Sequence, residues 1–132
     1  MGTGKLTDVA VTSNRPLSPH LQIYKPQLTS VLSILHRGTG LVITAGSLVI
    51  AAWLWSMVLG ESYYAAMQSF LTSIPGTILM VAWTWCMSYH MLNGVRHLVW
   101  DAGFGYEIPD AYRTGKAVVA GSFLVTLGVW LI

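Results

Sequence analysis

Residues 30–55 read SVLSILHRGTGLVITAGSLVIAAWLW, an apolar run that carries a histidine and an arginine, His36 and Arg37, in at its start. The hydrocarbon core of a bilayer is about 30 Å thick, and a helix crosses it with roughly 20 mostly apolar residues. The run therefore reads as a membrane span, extending over about 29–59. Two further stretches have the same length and character, about 75–100 and about 112–132. All three are continuous rather than alternating with period two, which argues against a β-barrel. The expected fold is all-α, an integral membrane bundle of three transmembrane helices over residues 29–132, preceded by an irregular N-terminal arm over residues 1–28.

Composition agrees, since only 9% of the 132 residues are charged while 54% are hydrophobic and the mean hydropathy is +0.58. An ordinary soluble domain is about a quarter charged. In the arm, Pro16, Pro19 and Pro26 interrupt any regular helix. Residues around Ala65 to Ser73 suit a short interfacial helix, and Pro75 suits the first turn of the second span. The first twenty residues, MGTGKLTDVAVTSNRPLSPH, have no apolar h-region and are too poor in arginine for an organellar transit peptide. A chain that works where it is made, or one already processed, is expected. Cys86 is the single cysteine, so neither an internal disulfide nor a cysteine metal motif is built. There is no nucleotide-binding glycine loop and no basic nucleic-acid patch, so nucleic acid is not an expected partner.

Lysine and arginine gather on the cytoplasmic side of short loops. Lys5, Arg15 and Lys25 precede the first span, Arg37 lies near its start, and Arg96, Arg113 and Lys116 flank the turn between the second and third spans. The connection over residues 60–74 has no basic residue. The N-terminus is thus expected on the cytoplasmic side and the C-terminus on the opposite, periplasmic side. Tyrosine and tryptophan prefer the interfaces. Trp53, Trp55, Tyr63, Tyr64 and Trp130 gather at the outer face, and Trp100, Tyr106 and Tyr112 at the inner one. Trp83 and Trp85 lie deeper, suited to packing on a partner. Small residues Gly40, Ala45, Gly46 and Ser47 offer a close-approach surface for association.

Titratable residues inside spans cost about 2.5 to 3.5 kcal/mol each on insertion scales and face an interior, a cavity or a ligand. At 100° per residue, Ser33, His36, Arg37, Gly40 and Thr44 share one face of the first span. In the second, His90, Gly94, His97 and Asp101 share a face, while Arg96 points away. His90 precedes Asp101 by 11 residues, about 16 Å at 1.5 Å per residue, near the bilayer's middle. There its imidazole has two readings: an interhelical hydrogen bond, or an axial ligand of haem iron with Gly94 admitting a flat macrocycle. Propionates at the inner edge of a haem would want cations, and Arg37, with His36 and His97, has that depth. Ser33 and Arg37 likewise have two readings: hydrogen bonding to a quinone carbonyl, or simple snorkelling of the arginine to the interface. Asp101 is expected to cap the second span or to pair with His97.

Two long motifs resemble the cytochrome b membrane-anchor family of succinate dehydrogenase, respiratory complex II. RPLSPHLQIYKPQLTSVLSILHRGTG combines Arg15-Pro16 with Ser33, His36, Arg37 and Thr39, and HMLNGVRHLVWDAG supplies His90, Gly94, Arg96, His97 and Asp101. The resemblance runs from about Arg15 to the end. It implies a chain without a catalytic residue, flavin or succinate site of its own, held with a second three-helix anchor, an iron-sulfur subunit and a flavoprotein subunit in the membrane lipid. It implies haem b shared with the second anchor, with His90 as the axial iron ligand and with His36, Arg37 and His97 near the propionates. It implies ubiquinone at Ser33 and Arg37, receiving electrons from succinate. A bacterial inner membrane is the expected location, with a mitochondrial inner membrane as the alternative. A quinol:fumarate reductase anchor and a non-redox helical scaffold are the rival functions.

Overall fold

A computed structural model describes residues 25–132. The arm's Arg15, Pro16 and Pro19 lie outside the described residues, as do Lys5 and the rest of residues 1–24. All regular structure among the described residues is helical: α1 Leu28–Leu59, α2 Glu61–Thr72, α3 Ile74–Asp101 and α4 Ile108–Leu131.

Each boundary has a local cause. Pro26 and an extended Gln27, at φ −81° and ψ 147°, hold the chain out of the helix until Leu28. Gly60 ends α1 at φ 118°, a backbone state that a side chain would strain. Glu61 then places a carboxylate in the first turn of α2, where the helix dipole favours it. The short outer helix therefore spans 61–72 rather than 65–73, because that glycine turn leads straight into it. Ser73 joins α2 to α3: its hydroxyl donates to Phe70 O at 2.6 Å and accepts from Gly76 N at 3.3 Å. The Ser73 cap and Pro75 in the first turn start α3 as the sequence predicts. At the turn between α3 and α4, Gly103 and Gly105 take positive φ, and Trp100 Nε1 donates to Gly105 O at 3.0 Å. α4 begins at Ile108, four residues before the expected 112, because Pro109 fits the first turn, where no backbone N–H is needed.

Two helices, α1 and α4, are each long and apolar enough to cross a membrane. α3 meets that test only together with α2, from which it is bent by 73°, so two or three spans are available. The reason is visible in α3 itself, whose apolar run is broken by Thr84, Ser88, His90, Asn93, Arg96 and His97.

α3 is the central element, packed against α4, α1 and α2. The apolar core is small: Leu32, Tyr89 and Val118, flanked by Leu28, Trp85, Leu92 and Val119. Ser88, Asn93, Ser122 and Thr126 are as deeply buried, and Thr126 Oγ1 lies 3.4 Å from Ser88 Oγ across the α3–α4 seam. Small and polar residues inside, with Ile34, Leu41, Leu48, Leu124 and Leu131 outside, is the distribution lipid favours, since hydrocarbon gives no hydrophobic drive to bury leucine. The deep tryptophans pack within the chain. Trp83 lies across Gly46 of α1, where a Cβ would come within 1.8 Å of its Nε1, and Trp85 stacks near Tyr89 and Phe123 at 5.8 and 5.5 Å. Gly46 of the small-residue surface thus serves an internal contact, and at the outer end Trp53 Nε1 donates to Gln68 Oε1 at 3.2 Å, tying α1 to α2.

Candidate functional site

The polar stripes of α1 and α3 meet where these helices pack. Tyr89, fully buried, donates its hydroxyl to Leu32 O at 2.8 Å and pins this part of the seam. One residue on, His90 Nδ1 lies 3.1 Å from His36 O and 3.2 Å from Thr39 Oγ1. The His36 ring stacks on the His90 ring, with centroids 4.0 Å apart and planes 12° from parallel. Gly40 makes room for this arrangement, since a Cβ there would come within 3.2 Å of His90 Cε1. His97, two turns nearer the C-terminal end of α3, has its ring 5.4 Å from that of His36 and edge-on to Trp100 at 5.1 Å. Three imidazoles, His90, His36 and His97, thus form one cluster contributed by two helices.

The remaining predicted residues are arranged less tightly. Ser33 is half-buried and Arg37 exposed, and neither side chain makes a hydrogen bond among the described residues. His36 and Arg37 therefore diverge: the histidine turns into the α1–α3 seam, the arginine outward. Asp101 is exposed and does not pair with His97; the ion pair found among the described residues joins Arg113 to Asp110 at 3.9 Å. Asp101 is the last residue of α3, and backbone N–H groups of Ala102 and Gly103 close the helix end instead.

His90 fits an axial haem ligand. Its Nδ1 is held by α1, whereas its Nε2 has no hydrogen-bond partner among the described residues. A ligating histidine is oriented in just this way, through a hydrogen bond on the nitrogen that does not bind the metal. Gly94, one turn on, borders open space, since a Cβ there meets nothing within 4 Å. His36 Nδ1 is buried and has no hydrogen-bond partner among the described residues.

Two features escaped the sequence reading. Arg96 turns away from the His90 face as predicted, but it is 6% exposed rather than lipid-facing. Its Nε donates to Thr114 Oγ1 at 3.0 Å, its Nη2 to Ala111 O at 2.8 Å and its Nη1 to Asn93 Oδ1 at 3.4 Å, while its guanidinium lies 3.9 Å over the Trp100 ring. The spacing of Asn93, Arg96 and Trp100 at i, i+3 and i+7 was the available signal for a second polar face. Thr39 also went unassigned, because it follows a histidine and an arginine that drew the chemistry.

Well-formed hollows lie away from the histidines. One of about 330 Å³ between α1, α2 and α3 is lined by Val42, Gly46, Val49, Phe70, Leu79 and Trp83. Another of about 350 Å³ sits at the inner end among Gln27, Thr29, Trp100, Tyr106 and Tyr112. Neither includes Ser33, Arg37 or His90.

Residues 11–129 match the family described as succinate dehydrogenase/fumarate reductase transmembrane subunit. The chain is 40% identical over 114 residues to the succinate dehydrogenase cytochrome b556 subunit of Paracoccus denitrificans, covering 86% of this chain and 88% of that one. With the cytochrome b556 subunit of Rickettsia prowazekii it shares 39% over 123 residues, covering 92% and 94%. With the mitochondrial succinate dehydrogenase cytochrome b560 subunit of Homo sapiens it shares 39% over 123 residues, covering 90% and 72%.

Proposed function

This chain belongs to the succinate dehydrogenase/fumarate reductase transmembrane subunit family, and from that premise we propose that it is the haem-binding membrane anchor of a succinate:ubiquinone oxidoreductase. The observation that carries the proposal is His90, fixed through Nδ1 by α1 and without a hydrogen-bond partner at Nε2 among the described residues. The three relatives named above are all succinate dehydrogenase subunits, which favours succinate oxidation over fumarate reduction as the physiological direction.

In this reading α1, the bent pair α2 with α3, and α4 form three spans, with the N-terminus on the cytoplasmic side of a bacterial inner membrane and the C-terminus on the periplasmic side. His90 would hold haem b on this chain through its iron, together with a residue of a second anchor subunit. Bound there, the haem supplies a one-electron store. His36 and His97, whose rings lie 5.4 Å apart, would hold its propionates, with Arg37 supplying positive charge from the outward face of α1. Ser33 and Arg37 hold ubiquinone where α1 meets the iron-sulfur subunit. The arginine's fixed positive charge and donor fork stabilise the quinone oxygen as negative charge develops on reduction, and the serine hydroxyl orients the same oxygen. That neither side chain makes a hydrogen bond among the described residues suits groups that act on a ligand at a subunit junction. Succinate oxidation itself belongs to the flavoprotein subunit.

Co-purification on a tagged copy of this chain tests the proposal. Flavoprotein and iron-sulfur subunits, a second anchor and a reducible b-type Soret and α band are expected; a stable preparation without that spectrum overturns the haem assignment.

A further inference from the structure

Thr39 is 4% exposed in the α1–α3 seam, and its hydroxyl makes two contacts of different kind. The oxygen lies 2.9 Å from His36 O and 3.2 Å from His90 Nδ1. A carbonyl oxygen can only accept, so the hydroxyl hydrogen points to His36 O, and only lone pairs remain for His90. His36 O, 3.1 Å from the same imidazole nitrogen, also only accepts. His90 Nδ1 therefore faces two acceptors and no donor among these contacts, and must carry the hydrogen. In a neutral imidazole the lone pair is then on Nε2.

We propose that Thr39 is a positioning residue for the haem iron: it holds His90 as the tautomer protonated at Nδ1, fixes the plane of the ring, and strengthens Nε2 as a donor. The inference rests on the reading of His90 as axial ligand. A threonine hydroxyl that bonds back to the carbonyl three residues earlier is common in helices and accounts for the 2.9 Å contact alone. It does not account for the second contact, which crosses from α1 to α3 through the oxygen lone pair. His36 stacks on one face of the ring, Gly40 lies at its Cε1 edge and His36 O holds Nδ1 at 3.1 Å, so the share of Thr39 is the second acceptor at that nitrogen. Hydrogen bonding at the remote nitrogen makes an imidazole a stronger donor, which favours ferric over ferrous iron.

The test uses the purified complex, with Thr39→Val, isosteric without the hydroxyl, and Thr39→Ser, which keeps it. Thr39→Val should retain haem but shift its one-electron reduction equilibrium at least threefold toward the ferrous form, a rise of about 28 mV at 59 mV per tenfold. It should also move the highest g value of the low-spin ferric signal, and Thr39→Ser should restore both. Wild-type potential and g value in Thr39→Val overturn the proposal. If Thr39→Val does not assemble, Thr39→Cys, a weak acceptor of serine's size, makes the same comparison with Thr39→Ser, and equal potentials overturn it. His90→Tyr separates the two levels. An unaltered b-type spectrum in that variant removes the ligand reading itself, whereas haem loss there with a silent Thr39→Val removes only the role of Thr39.

Discussion

His90 and His97 lie on one face of one helix, and what separates them is the company they keep. His90 is gripped through Nδ1 from α1, whereas His97 leans edge-on against Trp100 of its own helix and has no hydrogen bond to either ring nitrogen among the described residues. His90→Tyr is therefore expected to abolish or alter the b-type spectrum, while His97→Ala keeps axial ligation; equal haem loss in both would reverse the choice of ligand. Arg37 poses the other residue-level question, since an exposed arginine near a helix end is also what snorkelling produces. Arg37→Leu should lower ubiquinone reductase turnover by at least tenfold, about 1.4 kcal/mol of lost transition-state stabilisation, with succinate oxidation by an artificial acceptor retained. Unchanged quinone kinetics would return the residue to a structural role. The sequence made His36, Arg37 and His90 legible because charge and imidazole are conspicuous in an apolar run. Thr39 was not legible, because a hydroxyl one turn from a histidine looks the same in sequence whether it serves its own helix or the next one.

Helix starts and stops were largely readable, because proline, glycine and serine act through local backbone chemistry. Pro26, Gly60 and the Ser73–Pro75 pair bound α1, α2 and α3 near the expected positions. What spacing alone did not convey was the direction in which each helix turns its faces. Arg96 pointed away from the histidines in sequence, and the structure uses it to clamp α3 to α4 through Thr114 and Ala111. The joint between α2 and α3 is equally specific. A Cβ on Gly76 would come within 2.1 Å of the Phe70 carbonyl oxygen, a backbone atom that cannot move without opening the 73° bend. Gly76→Ala should thus destabilise the assembled complex by about 2 kcal/mol or more, read as a lowered thermal midpoint. Gly128→Ala, where a Cβ meets nothing within 4 Å, should leave that midpoint within about 0.5 kcal/mol of wild type. Equal behaviour of the two variants would mean that the bend is not held by this contact.

As a whole the molecule buries little apolar surface, and the well-formed hollows among the described residues do not include its histidine cluster. A chain built this way completes its site with neighbours. Expressed without the second anchor it should show no low-spin b-type α band, and co-expression should restore one; a full-strength low-spin band from the chain alone would contradict a shared haem. By itself the sequence determined the lipid environment, the helical class and the approximate helix limits, because hydropathy and backbone-breaking residues act within one segment. The tertiary structure alone decided that His36 lies on His90, that Thr39 and a backbone carbonyl grip one imidazole nitrogen, and that Arg96 is buried. Those facts depend on how α1, α3 and α4 rotate against one another. That rotation is set by Gly40, Gly46 and Gly115 letting neighbours approach, a packing property that no single helix contains.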